Sequence, residues 1–148
     1  MKTFLGCMLA LVSMEMSTSL ATSSLCRGWS VSPLQHTADQ SGAFVANEPV
    51  AVKWNALNSQ IEYIQDIGLF SARSKEFLHT QYRSYPGINA AEGRLAFTLS
   101  VPLCLQREGE YYLSVYGSTP GNDDDCSLET LPFKLLPDPN ADYSICDL

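Results

Sequence analysis

Histidine and clustered carboxylates are the side chains in this sequence whose types could support catalysis or metal binding. The chain has two histidines, His36 and His79, and together they could form a metal site or an acid–base pair. They lie in different segments, and no spacing in the sequence brings them together. We therefore expect both imidazoles to be solvated at the surface.

Acidic residues offer two further possibilities. The run Asp123, Asp124, Asp125 could bind Ca²⁺, but it lacks the alternating ligands and the distal Glu of an EF-hand, so a solvated acidic turn is the preferred interpretation. Glycoside hydrolysis requires two carboxyl groups a few ångströms apart, and candidates for such a pair are Asp66, Glu108 and Glu110.

Catalytic motifs of other kinds are not found in the sequence. No serine lies in a Gly-x-Ser-x-Gly context, and no Gly-rich phosphate loop occurs. We therefore predict a protein that is not an enzyme and that has no cofactor and no metal.

The N-terminus has the pattern of a secretory signal peptide. One positive residue, Lys2, precedes the apolar run 4–12, and the small residues Ala21 and Ser23 fit the positions before a cleavage site. The alternative is an apolar first helix of the domain, although the run is too short to span a membrane. We predict that residues 1–23 are removed and that the mature protein is secreted and extracellular.

Cysteine usage agrees with an oxidising compartment. Removal of the predicted signal peptide takes away Cys7 and leaves four cysteines, which suits two disulfides. No Cys-x-x-Cys spacing occurs, so zinc is not predicted. Residues 138–148 include no hydrophobic tail of the kind that directs a GPI anchor, and we expect a soluble chain without a membrane anchor.

Composition and charge restrict the class of protein and partner. The chain has 148 residues, of which 45% are hydrophobic and 17% are charged, as expected for one globular domain. Its formal net charge is -7 at pH 7. Nucleic acid and anionic membrane surfaces require a basic patch, so neither is predicted as the main partner.

Alternation of apolar and polar residues is the strongest pattern after residue 24. It is typical of antiparallel strands with one face on the core. Residues 94–101 alternate in this way, and so do residues 50–54, 111–115 and 131–135. Pro132 interrupts the last of these segments and cannot donate to a ladder, which predicts an edge strand or a bulge.

Weaker strands are predicted at residues 29–31, 63–70 and 76–81, with turns at 86–89, 107–109 and 119–122. Seven short strands separated by turns predict an all-β fold, an immunoglobulin-like antiparallel β-sandwich over residues 24–136. Residues 137–148 form a C-terminal tail.

Counting strands predicts how the cysteines pair, because each antiparallel strand carries the chain from one end of a sandwich to the other. One predicted strand, residues 110–117 and roughly 25 Å long, separates Cys104 from Cys126, and disulfide Cα atoms must lie within about 7 Å of each other. Five strands separate Cys26 from Cys104, which places that pair at opposite ends too. The predicted disulfides are therefore Cys26–Cys126 and Cys104–Cys146, and the second would pin the tail.

Tyrosines in the predicted strand 110–117 fall on both of its faces. Tyr111 follows Gly109 and Glu110 as in a tyrosine corner, in which a buried ring donates its hydroxyl to a nearby backbone group. The alternative is an ordinary inward tyrosine of the core. Tyr112 and Tyr116 point outward and would form an exposed pair suited to binding, including stacking on sugar rings. The alternative for these two is packing across the sheet.

The order of these features resembles a known family, the N-terminal immunoglobulin-like domain of fungal cell-wall-synthesis proteins of the killer-toxin-resistance type. That domain is also found in Ser/Thr-rich GPI-anchored fungal surface proteins. The resemblance covers residues 29–136. It is carried by Val-Ser-Pro at 31–33, Glu-Pro-Val-Ala-Val-Lys-Trp at 48–54, Asp-Ile-Gly-Leu-Phe at 66–70, Ser-Val-Pro at 100–102, Gly-Glu-Tyr-Tyr-Leu-Ser-Val at 109–115 and Leu-Pro-Phe-Lys-Leu at 131–135.

The resemblance implies an extracellular, non-enzymatic domain associated with the cell wall and with β-glucan assembly or binding. It supplies no catalytic residues, and the Ser/Thr-rich stalk of the family is absent here. We therefore expect a binding or structural domain whose partner is a wall polysaccharide or a wall protein. The alternative is a small secreted effector or inhibitor that binds a foreign protein.

Overall fold

The computed structural model describes residues 26–119, 121 and 126–147. The predicted signal peptide, residues 1–23, and the acidic run 123–125 lie outside the described residues. Within these ranges no residue is in an α-helix, and short 3₁₀ turns lie at Ala90–Glu92, Leu103–Leu105 and Ser144–Asp147. No helix in the described part of the chain is long and apolar enough to cross a membrane.

The described residues form ten strands in two sheets, three more strands than the sequence predicts. Their bounds are β1 Ser30–Val31, β2 Gln35–His36, β3 Phe44–Val45, β4 Pro49–Asn55, β5 Tyr63–Ser71, β6 Phe77–Asn89, β7 Arg94–Thr98, β8 Gly109–Ser118, β9 Cys126–Glu129 and β10 Phe133–Leu136. The additional strands are β2, β3 and β9.

Each sheet has a long central strand. In the first sheet β4 pairs antiparallel with β7 and, along different parts of its length, with β1 and β2. The second sheet has the order β3-β10-β8-β5-β6, with β9 also paired to β8. The chain passes from the first sheet to the second between β2 and β3, and β3 then runs parallel to β10.

Strands β9 and β10 are two halves of one long strand beside β8. The register shifts by one residue between the pairs Ser114↔Glu129 and Tyr111↔Phe133. At the break the Thr130 hydroxyl accepts a hydrogen bond from the Leu113 N–H at 3.0 Å, in place of a backbone carbonyl. Pro132, where the sequence predicts an edge strand or a bulge, lies in this break, and β10 is not an edge strand because β3 and β8 flank it. The split pair still carries the chain only once across the domain.

The core lies between the two sheets and is one continuous cluster. Its largest fully buried side chains come from both layers: Val50 and Val52 from the first sheet, and Ile64, Ile67, Leu69, Leu113, Val115, Cys126 and Leu135 from the second, with Leu99 after β7. The apolar positions that alternation places inward are buried in β4 (Val50, Val52, Trp54), in β8 (Tyr111, Leu113, Val115) and in β10 (Phe133, Leu135), as predicted. Leu131, the first apolar position of the segment predicted at 131–135, is instead 68% exposed and precedes β10. The strand predicted at 94–101 ends earlier, at Thr98.

Both predicted disulfides are present. The Cα atoms are 5.4 Å apart in Cys26–Cys126 and 5.3 Å apart in Cys104–Cys146. The second bridge holds the segment after β10, where the buried Gln106 side chain accepts hydrogen bonds from the Asp138 N–H at 2.9 Å and the Tyr143 hydroxyl at 2.7 Å. The fold is thus all-β with two sheets and two disulfides, which fits an immunoglobulin-like sandwich.

The predicted tyrosine corner is also confirmed. The Tyr111 hydroxyl donates to the Arg107 carbonyl at 2.9 Å, and the ring is buried in the core. Burial raises the pKa of Tyr111, and the nearby Arg107 charge opposes part of that rise. This hydrogen bond fixes the start of β8 against the loop that precedes it.

Candidate functional site

A groove of about 570 Å³ lies on the outer face of the second sheet, across β5, β6 and β8. Its volume falls in the range of small-molecule binding sites in proteins, roughly 300 to 1,000 Å³. Aromatic side chains form much of its surface: Phe70, Phe77, Tyr85 and Tyr116. Tyr85 and Phe77 are 88% and 54% exposed, so their rings are accessible to a ligand.

A glycine makes room for the groove. An added Cβ at Gly68 would lie 3.1 Å from Phe70 Cε2 and 3.2 Å from Phe77 Cε2. These two rings meet edge to face with centroids 5.5 Å apart, in the arrangement that aromatic pairs prefer. The bare backbone at Gly68 therefore allows the two rings to close together beside the groove.

A large bulge in β6 forms one wall. Between the pairs Ile64↔Ile88 and Asp66↔Arg83, β5 advances two residues while β6 advances five, so residues 84–87 loop outward. The Gln65 side chain donates to the Pro86 carbonyl at 3.0 Å and holds the loop to β5.

Gly87, which completes this loop, has φ of 115°, and a Cβ there would lie 2.4 Å from the Ile64 carbonyl oxygen. Only glycine fits this backbone position. The turn predicted at 86–89 is thus wrong, because β6 continues through these residues to Asn89. The bulge carries Tyr85 out to the rim of the groove.

The polar lining of the groove includes one ion pair and several small hydroxyl or amide groups. The Arg83 Nε donates to Asp66 Oδ2 at 2.5 Å, and the side chains are 69% and 28% exposed. The remaining polar residues are Gln65, Ser84, Ser114 and Ser127. The surface thus combines aromatic rings with donors and acceptors, and the charges of its ion pair balance.

The two tyrosines singled out from the sequence have different surroundings. Tyr116 is half-buried and lines the groove. Tyr112 points to the same outer face but is only 5% exposed, because its ring stacks on Phe70 at 5.4 Å and lies under the Lys75 ammonium at 4.7 Å. The predicted exposure of Tyr112 is therefore wrong, and it packs across the sheet instead. Burial raises the pKa of Tyr112, and the Glu129 charge raises it further.

Asp66 is not brought together with Glu108 or Glu110, the other carboxylates considered for glycoside hydrolysis. Glu108 pairs with Lys134 at 3.0 Å, and Asp66 pairs with Arg83. Asp66 lies opposite Tyr116 of β8. Tyr116 and Glu110 are six residues apart in that strand, so Asp66 and Glu110 are separated by roughly 20 Å. Hydrolytic pairs are separated by about 5 to 9.5 Å, so Asp66 and Glu110 do not form one.

The histidines also lie apart, on different sheets. His36 is not solvated as predicted, since its side chain is 10% exposed. Its Nδ1 lies 3.2 Å from Glu48 Oε2, its Nε2 lies 3.1 Å from the Gly42 carbonyl, and its ring stacks on Phe44. His79 is half-buried in β6. Within the described ranges, no group of three His, Cys, Asp or Glu side chains is placed to hold a metal ion.

Sequence reasoning missed most of the groove. Phe70 follows Ile67 and Leu69 in the strand predicted at 63–70, so its parity with Leu69 already indicates an outward ring. Tyr85 precedes Pro-Gly, a pair that often accompanies exposed chain. Arg83 lies beyond the strand predicted at 76–81, and no local pattern indicates that it pairs with Asp66.

Comparison of the sequence with models of protein families and with curated proteins gives no match. Function is therefore inferred from the groove and from the sequence resemblance described above.

Proposed function

We propose that this chain is a secreted, non-enzymatic binding domain associated with the fungal cell wall, and that the groove on the second sheet binds β-glucan. The observation that carries the proposal is the composition of the groove. Exposed aromatic rings lie beside an ion pair and several hydroxyl groups on the outer face of the second sheet.

This combination suits a pyranose chain. The C–H face of a sugar ring is apolar and gains free energy when it covers an aromatic ring, while its hydroxyl groups require donors and acceptors around the edge. Tyr85 and Phe77 supply exposed rings, and Ser84, Ser114 and Ser127 supply small polar groups.

The overall charge of the protein favours an uncharged polymer. The formal net charge of -7 repels acidic polysaccharides at long range and leaves a neutral glucan unaffected. Two disulfides in a small β domain agree with an extracellular protein. Association with the cell wall rests on the sequence resemblance at residues 29–136.

A second candidate function is that of a secreted effector or inhibitor that docks on a foreign protein. The exposed Tyr85 and Phe77 side chains support it, because exposed aromatic residues frequently dominate the binding energy of protein interfaces. In this case the same groove would bind a protein segment in place of a sugar chain.

Sedimentation with insoluble β-glucan tests the proposal. We expect the wild-type chain to be retained, and we expect Tyr85→Ala with Phe77→Ala to weaken binding about tenfold, because two ring contacts are lost. Leu57→Ala is the matched control, since Leu57 is a 79% exposed apolar side chain outside the groove. Thermal unfolding checks that each variant remains folded.

Three outcomes have different meanings. Retention that is lost in the double variant and kept in Leu57→Ala supports glucan binding. Equal retention of all three proteins places binding outside the groove and contradicts the proposal. Absence of retention, with capture of a single extracellular protein that the double variant fails to bind, favours the second candidate.

A further inference from the structure

We infer that Asp66 and Arg83 make the groove selective for an uncharged sugar unit, which they bind through its hydroxyl groups. The inference rests on the proposed function, because it names the class of sugar unit that the groove takes.

The hydrogen bonding of the pair leaves groups available for a ligand. The contact between the side chains uses Arg83 Nε and Asp66 Oδ2. Among the described residues, neither side chain makes another hydrogen bond or ion pair. Asp66 Oδ1 therefore remains as an acceptor, and the two Arg83 Nη groups remain as donors. Both side chains line the groove and are reached by solvent.

This arrangement matches neighbouring hydroxyl groups on a sugar. A hydroxyl can both donate and accept, so one can donate to Asp66 Oδ1 while the next accepts from an Arg83 Nη group. Hydrogen bonds to charged groups contribute more than those between neutral groups. The pair holds its donors and acceptor in a fixed relation, which restricts the hydroxyl geometry that it can bind.

The aromatic rings lie where a sugar held in this way can cover them. Tyr116 is the direct partner of Asp66 across the β5–β8 pair, and Tyr85 follows Arg83 by two residues on the bulge. A single sugar unit can therefore contact the ion pair at its edge and an aromatic side chain with its face.

The opposite charges of Asp66 and Arg83 make the groove select neutral sugars over acidic ones. Asp66 and Arg83 carry opposite charges at hydrogen-bonding distance, so a neutral unit meets no net charge. A uronic acid that approaches Arg83 also meets the Asp66 carboxylate and the net negative charge of the protein. The pair therefore disfavours acidic sugars, although an arginine lies in the groove.

Two probes test the inference: a soluble neutral β-glucan oligosaccharide and a uronic-acid oligosaccharide of similar length. We expect the wild-type chain to bind the first and not the second. Arg83→Gln should weaken glucan binding about tenfold. Asp66→Asn should weaken it about fivefold and raise affinity for the uronic-acid probe, because Arg83 is then no longer neutralised.

Matched variants separate this effect from a change in net charge or folding. Glu108→Gln removes one negative charge from an exposed ion pair outside the groove and should change neither affinity. Arg83→Lys keeps the charge but loses the planar donors, so it should weaken glucan binding without raising affinity for the uronic-acid probe. Asp66→Asn and Arg83→Lys change side chains at least a quarter exposed, and thermal unfolding verifies their structure.

The results also separate this inference from the proposed function. If the wild-type chain binds glucan through Tyr85 and Phe77 but Asp66→Asn behaves like Glu108→Gln with both probes, the inference is overturned and the proposed function stands. Equal wild-type affinity for both probes overturns it as well. If the wild-type chain binds neither probe and no insoluble glucan, the proposed function fails.

Discussion

Removing the two disulfides separately should destabilise the protein by different amounts. Cys26–Cys126 joins residues separated by 100 positions, and Cys104–Cys146 joins residues separated by 42. If a disulfide acts mainly by restricting the unfolded chain, the first contributes about 4.7 kcal/mol and the second about 4 kcal/mol to the free energy of unfolding.

The burial of Cys126 increases the expected difference in stability between the two disulfide variants. Cys126 is 1% exposed and belongs to the core cluster, so its replacement by alanine also loses packing, at a cost of about 1 kcal/mol. Cys104 is exposed and lies outside that cluster. We therefore expect a loss of about 5 to 6 kcal/mol for Cys26→Ala with Cys126→Ala, and about 4 kcal/mol for Cys104→Ala with Cys146→Ala.

Denaturant unfolding followed by tryptophan fluorescence measures both losses, because Trp29 and Trp54 are buried in the native state. Partial reduction with thiol alkylation provides a second readout, and the exposed Cys104–Cys146 bridge should be reduced first. A larger loss of stability for the Cys104/Cys146 variant, or earlier reduction of Cys26–Cys126, would refute this reasoning, in which Cys26–Cys126 is the more buried and more stabilising disulfide.

Three further predictions concern β8 and the groove. Tyr111→Phe should lower the free energy of unfolding by about 1 kcal/mol, because the Arg107 carbonyl loses its donor; an unchanged value in denaturant unfolding would contradict the tyrosine corner. Stability should fall as pH rises above 10.0, because burial raises the pKa of Tyr111 and Tyr112 and the unfolded state then loses these protons first. Thermal unfolding at a series of pH values measures this loss of stability, which should be smaller in Tyr112→Phe. An equal loss in the wild type and in Tyr112→Phe would contradict the contribution of Tyr112. Gly68→Leu should fill the groove and abolish glucan retention, and retention at the wild-type level would place the site elsewhere.

The sheets and the cysteine pairing follow from simple properties of the sequence. Alternation reports which face of a strand is buried, and it is clear in β4 and β8 because each has one face on the core. The parity of strand number determines the end of the domain at which a cysteine lies, so the correct pairing emerges even though β9 was missed. Strands of two residues, such as β2 and β3, are too short to show any period.

The groove is harder to predict because it depends on register. The burial of Tyr112 requires that Phe70 lie beside it on β5, and no local pattern establishes that pairing. The outer wall depends on the β6 bulge, where Pro86 and Gly87 resemble an ordinary turn. Arg83 lies beside Asp66, and Tyr85 lies at the rim of the groove, only because β5 pairs with β6 in this register.

Titration of residues 24–148 with a soluble β-glucan oligosaccharide, followed by backbone amide chemical shifts, tests glucan binding in the groove most directly. We expect concentration-dependent shifts at Gly68, Ser84, Tyr85 and Ser127 on the outer face of the second sheet. Amides of β4 in the first sheet should remain unchanged. An absence of shifts at saturating oligosaccharide, or shifts confined to the first sheet, would contradict the proposal that this groove binds glucan.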